Sequence, residues 1–170
     1  MKTEKVEKTF KVWKTIRLGD NQCKSPLAFR NALVNVGCDI GDGANNMLGE
    51  LVKISPKERN INLVNVSVEE LGFKGVALLD QIYDKAFELG LLLCPFEVGL
   101  ELRLQYADQP NRECLNIAMN PVPGSQALNI FVVEHDGNKC WLTTGCGETD
   151  YYWNGDDRFI FCLPTVSNWV

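Results

Sequence analysis

Apolar positions along this chain repeat at two spacings. In "SPLAFRNALVNVG", Leu27, Phe29, Ala32, Leu33 and Val36 fall on one stripe of a helix. Ser25 is placed to cap it, Pro26 to open it and Gly37 to close it in left-handed geometry. "ALLDQIYDKAFELG" repeats the pattern with Leu78, Leu79, Ile82, Tyr83, Ala86 and Leu89, and Gly90 stops it. "GANNMLGELV" is expected to form a shorter helix. Ser67 and Glu70 in "SVEELG" make a capping box that opens one helical turn.

Elsewhere the period is two. "FKVWKTIRLG" fits a strand through Phe10, Val12, Ile16 and Leu18, and also a helix through Val6, Phe10 and Trp13; its β-branched and aromatic content favours the strand. "INLVNVSV" sets Ile61 and Leu63 against Val64, Val66 and Val68. "GLELRLQY" sets Leu100, Leu102, Leu104 and Tyr106 against Glu101, Arg103 and Gln105, and is predicted as a strand with one wet face. "CLNIAM" is a further strand. "LNIFVVEH" and "NKCWLTT" flank Asp136-Gly137, a type I′ hairpin signal. "DYYW" and "DRFIFCL" flank "NGD" as a second hairpin. The prediction is an α+β fold: an antiparallel sheet of four to six strands, mostly in the C-terminal half, packed against two or three helices from the N-terminal half. No repeat or linker divides the chain, so residues 1–170 read as a single globular domain, with a mobile basic arm expected over about residues 1–9.

Composition narrows the classes. The chain is 45% hydrophobic and 23% charged, ordinary values for a globular protein. No apolar run reaches the roughly 18 residues of a membrane helix. "MKTEKVEKTFKVWK" lacks the apolar stretch of a secretory signal, so a cytoplasmic location is expected. Cysteine occurs seven times, at 23, 38, 94, 114, 140, 146 and 162, without a C-x-x-C pair; these are expected to be reduced thiols. Net charge is −5, yet residues 1–19 carry six basic and two acidic groups.

The stretch "LGFKGVALLDQIYDKAFELGLLLCPFEVGLELRLQYADQP", followed by "ECLNIAMNPV" and later "DDRFIF", resembles a family of small uncharacterised bacterial proteins. The resemblance covers roughly residues 10–162. It implies a single bacterial domain and brings no activity, ligand or catalytic residue with it.

The chain has one histidine, so any Cys-His or Ser-His mechanism must use His135. Cys94 in "LLLCPFEVG" is the nucleophile such a dyad would use, although His135 stands beside a hairpin tip. A metal site would draw on His135, Cys140, Cys146 and Cys162, but C-x5-C is not the zinc-knuckle spacing, so no metal is expected. "DIGDGANNMLGE" imitates a calcium loop from Asp39 to Glu50, but Gly41, Gly43 and Ala44 stand where oxygens and the turn glycine belong. Its glycines make no phosphate cradle either, since no Lys-Ser/Thr follows. Glu97 and Glu101 could pair as carboxylates, though Arg103 on the same strand face makes a surface ion pair the simpler account. Trp13 among Lys11, Lys14 and Arg17 suits single-stranded nucleic acid, but the acidic remainder opposes it. No cofactor motif is visible.

The functional expectation is a non-enzymatic interaction module that binds another macromolecule, a protein before a nucleic acid. Its contact residues would be Trp13, Tyr151, Tyr152, Trp153, Asp156, Asp157 and Trp169, aromatic anchors beside an acidic tip. The alternative is a small hydrolase using Asp156 and Asp157 as an acid-base pair, or Cys94 with His135.

Overall fold

The computed structural model describes residues 9–19, 23–49 and 52–165. Most of the basic N-terminal arm, Glu50 and Trp169 therefore lie outside the described residues. In chain order the elements are β1 (Lys14–Leu18), α1 (Pro26–Asn35), β2 (Asp39–Ile40), α2 (Asp42–Met47), β3 (Arg59–Ser67), β4 (Ala77–Leu78), α3 (Leu79–Glu88), α4 (Glu97–Gln105), β5 (Cys114–Ile117), β6 (Val122–Pro123), β7 (Leu128–His135), β8 (Cys140–Cys146), β9 (Tyr152–Trp153) and β10 (Arg158–Cys162).

The fold is α+β, but its sheet is larger and more mixed than the alternation predicts. Its strands follow the order β1-β3-β10-β5-β7-β8-β2, with β6 added against β7. Three of these strands come from the first 67 residues. β10 lies antiparallel to β3 and parallel to β5, and β2 is parallel to β8, so the sheet is not purely antiparallel. Short strands such as β2 carry too few residues for a period to show.

The two predicted long helices form as their caps dictate. Ser25 Oγ accepts from Ala28 N at 3.2 Å, Pro26 opens α1, and Gly37 ends its loop at φ 79°. In α3 the apolar residues Leu79, Ile82, Tyr83 and Ala86 are buried, and Gly90 closes the end at φ 83°.

The segment predicted as the strand "GLELRLQY" is instead α4. Leucine, glutamate, arginine and glutamine all favour a helix, and no β-branched residue follows Val98. Residues Glu97 to Arg103 are all buried, because α4 packs against β1, β7, β8 and α1 at once. Gly99 allows the contact: a Cβ there would lie 2.8 Å from the Cβ of Phe131. Phe96 meets the same ring edge-on at 5.0 Å between centroids. Glu101 and Arg103 are consequently interior groups, not the surface ion pair that a strand would have made of them. Glu97 Oε1 accepts from Ser55 N at 2.7 Å, and Gln105 Nε2 donates to Glu101 Oε2 at 3.0 Å.

The opposite face of the sheet carries an aromatic layer. Phe161 meets Tyr83 of α3 at 6.1 Å, and Phe159 meets Trp153 at 5.0 Å. After Gly90 the chain passes beside β10, where Leu92 exchanges both backbone hydrogen bonds with Cys162, and then enters α4.

Two turns differ from expectation. In the β7–β8 turn only Gly137 has positive φ, at 98°, with Asn138 after it; that is the pattern of a II′ turn, not I′. Asp136 holds it by accepting from the backbone of Asn138 and Lys139 and from Trp141 Nε1. The second predicted hairpin does not form: β9 pairs with β4, while β10 pairs with β3 and β5. The intervening turn is closed by Asp157, whose Oδ2 accepts from Asn154 N at 2.7 Å.

Candidate functional site

An apolar recess on the surface lies beside α3, near the end of the β7–β8 ladder. It encloses ≈ 300 Å³ among Leu79, Tyr83, Phe87, Leu93 and Pro121, with Asp80, Asp84, Asn120 and Thr149 as polar lining. The helix periodicity produces this arrangement. Leu79, Ile82, Tyr83 and Ala86 turn to the core, which leaves Asp80, Asp84 and Phe87 on the adjacent stripe at i, i+4 and i+7. Phe87 is 46% exposed.

The floor is fixed by hydrogen bonds. Tyr83 Oη donates to Met119 O at 3.0 Å and accepts from Met119 N at 3.2 Å. Burial pushes the Tyr83 phenol well above its usual range, so it stays neutral and keeps both bonds. At the N-terminal end of α3, Leu79 N donates to Tyr151 O and Asp80 N to Thr149 O, which ties the 149–151 loop to the groove. Leu78 of β4 pairs with Tyr152, so the backbone of both tyrosines is held at the N-terminal end of α3, and their side chains are 47% and 65% exposed.

The residues expected from sequence to make contacts separate into several places. Tyr151 and Tyr152 are exposed beside α3. Trp153 is buried between the rings of Tyr151 and Phe159, its Nε1 without a partner among the described residues, so it packs the core. Asp156 is exposed at the following turn and Asp157 holds that turn together. Trp13 lies near the other edge of the sheet, half-buried against Tyr106 at 5.2 Å, with Lys14 Nζ 4.6 Å from the Tyr106 ring. That aromatic ring is therefore already engaged by its own chain.

Cys94 and His135 are not brought together. Cys94 is buried, donating to Ile160 O at 3.3 Å, with Cys162 Sγ at the same distance. Burial and that neighbouring sulfur drive its thiol well above the usual range, which opposes nucleophilic activation. His135 pairs in register with Cys140 at the far end of β7, and its Nδ1 accepts from Gly137 N. Among the described residues no group of three or more His, Cys, Asp or Glu is placed to hold a metal ion. No helix among them is long and apolar enough to cross a membrane.

Sequence reasoning passed over Asp80, Asp84 and Phe87. Their signal was present as an apolar residue on the otherwise polar stripe of an amphipathic helix, but a single exposed Phe is common on protein surfaces. Only Pro121, Leu93 and Tyr83, which line the same recess, make it part of a patch. No family model, no curated protein and no solved structure matches the chain.

Proposed function

We propose that this protein is an interaction module whose α3 groove receives a segment of a partner protein. The observation that carries the reading is an apolar recess of ≈ 300 Å³ lined by the exposed Phe87 and by two carboxylates, Asp80 and Asp84, with the exposed Tyr151 and Tyr152 held by backbone bonds at the N-terminal end of α3. Aromatic side chains concentrate binding energy because they cover large areas at small entropic cost. Asp80 and Asp84 select the partner by charge. The fitting segment is an apolar anchor flanked by lysine or arginine, and the acidic balance of the chain would speed its approach.

The test is selection of random displayed peptides against the whole protein. Enriched sequences are expected to carry a leucine or aromatic anchor next to basic residues. Phe87→Ala should weaken the best of them by about tenfold, as loss of an interface aromatic does. Asp80→Asn with Asp84→Asn should weaken it less and flatten its salt dependence. Enrichment of peptides that bind both variants as well as the parent would reject the groove as the site.

A further inference from the structure

At the opposite end of the β7–β8 ladder lies a second cavity, of ≈ 280 Å³. It is lined by Cys38, Cys140, Arg103, Lys139 and His135 together with mostly apolar neighbours, and by no Asp or Glu. The strand register makes the two thiols neighbours. β2 runs parallel to β8 with Asp39 opposite Trp141, so the register continued one residue back sets Cys38 beside Cys140, and both line the cavity. Neighbouring strands are about 4.8 Å apart, and disulfides span roughly 4.4–6.8 Å between Cα atoms. The spacing of neighbouring strands falls within the range a disulfide spans.

The walls are cationic on a chain of net charge −5. Arg103 is only 1% exposed, and its guanidinium is held by neutral oxygens of Gln109, Glu134 and Tyr106. It makes no ion pair among the described residues, and its Nε has no hydrogen-bond partner. Lys139 Nζ is paired with Asp39 at 2.7 Å, so Arg103 carries the cavity's uncompensated positive charge, and that charge favours an anionic visitor.

We propose that Cys38 and Cys140 form a dithiol site for exchange with a small, negatively charged disulfide. Cys140, half-buried, reacts first; Cys38 is buried, and that burial holds its thiol above the usual range although Arg103 opposes the shift. The Cys140 thiolate attacks one sulfur of the small disulfide. The S–S bond breaks, and the expelled thiolate takes up the proton that Cys140 released. Cys38 then loses its proton and attacks Cys140 Sγ. This expels the second small thiolate, which takes up that proton. Two protein thiols are oxidised to one disulfide, and one small disulfide is reduced to two thiols.

The chain carries its own control. Cys94 and Cys162 hold their sulfurs 3.3 Å apart, but both are closed in the core. If proximity alone governed oxidation, that pair would react first.

The experiment treats the full-length reduced protein with oxidised glutathione at neutral pH, quenches by alkylation and maps cysteine peptides over time. A Cys38–Cys140 bridge is expected, ahead of any Cys94–Cys162 bridge. Cys140→Ser should abolish it, and Cys38→Ser should leave Cys140 carrying one glutathionyl group. The unmutated time course decides the matter even if a variant folds poorly. The proposal fails if Cys140 stops at the mixed disulfide, if the core pair bridges first, or if neither cavity thiol reacts while the exposed Cys114 does. Cystamine, a positively charged disulfide, should form the bridge about threefold more slowly or worse, with the gap closing in salt. Equal or faster reaction would reject the electrostatic part.

Discussion

Ser67 and Glu70 satisfy each other. Glu70 Oε2 accepts from Ser67 N at 2.7 Å, and Glu70 N donates to Ser67 Oγ at 3.0 Å. Arg158 Nη2 adds an ion pair at 2.9 Å. The backbone bond from Ser67, more than Arg158, pulls the Glu70 carboxyl below its ordinary value of 4.5. A carboxyl whose folded pKa is depressed contributes stability that is present above its unfolded pKa and lost as pH falls through the folded one. Glu70→Gln should therefore cost about 1 kcal/mol or less at pH 7, because both partners are partly exposed. The gap between parent and variant in urea unfolding should close as pH falls below about 4. A gap of equal size at pH 3 and pH 7 would mean that the charge contributes nothing. Arg103 shows the opposite balance: a buried guanidinium is expensive, and three neutral acceptors offset only part of its desolvation.

At the scale of elements, α4 is the instructive case. Alanine normally improves a helix interior over glycine by about 1 kcal/mol. At Gly99 the added Cβ would meet Phe131 at 2.8 Å, and overpacking typically costs about 1–3 kcal/mol. Gly99→Ala is thus expected to lower the melting temperature, and Phe131→Leu in the same chain to recover part of the loss. A neutral or stabilising Gly99→Ala would show that α4 does not press on β7 as described. This same burial hid α4 in the sequence. A helix surrounded on every side has no polar face, so the 3.6 period vanishes, and Leu100, Leu102 and Leu104 then alternate by chance like a strand. α1 and α3 each keep a wet face and were legible for that reason, down to Ser25, Gly37 and Gly90. The candidate groove was legible only in part: Tyr151 and Tyr152 stand out as aromatics in a polar stretch, whereas Phe87 needed the fold to acquire neighbours.

For the molecule as a whole, the last strand closes the structure. β10 lies between β3 and β5, so the sheet is incomplete until the chain is nearly finished. Its residues Phe159, Ile160 and Phe161 are fully buried, and Phe161 touches α3 while Leu92 pairs with Cys162. Pairings this distant in sequence form slowly and exchange last. Amide hydrogens of Phe159 to Phe161, Val64 to Val66 and Leu115 to Ile117 should exchange only by global unfolding. Those of the edge strands β1 and β2 should exchange faster. Exchange at Ile160 as fast as at Ile40 would contradict a central β10.

The sequence by itself determined what is local: the caps and stripes of α1 and α3, the reciprocal bonds of Ser67 and Glu70, the hairpin at Gly137, the mixture of helix and sheet. Each depends on residues within a few positions of one another, where side-chain chemistry acts directly on the backbone. Tertiary structure decided the rest. It made "GLELRLQY" a helix, set β10 in the middle of the sheet, turned Trp153 inward and parted Cys94 from His135. It also brought Cys38 to Cys140 and Phe87 to Pro121. Those outcomes depend on which distant segments exclude water together, and no period along the chain records that.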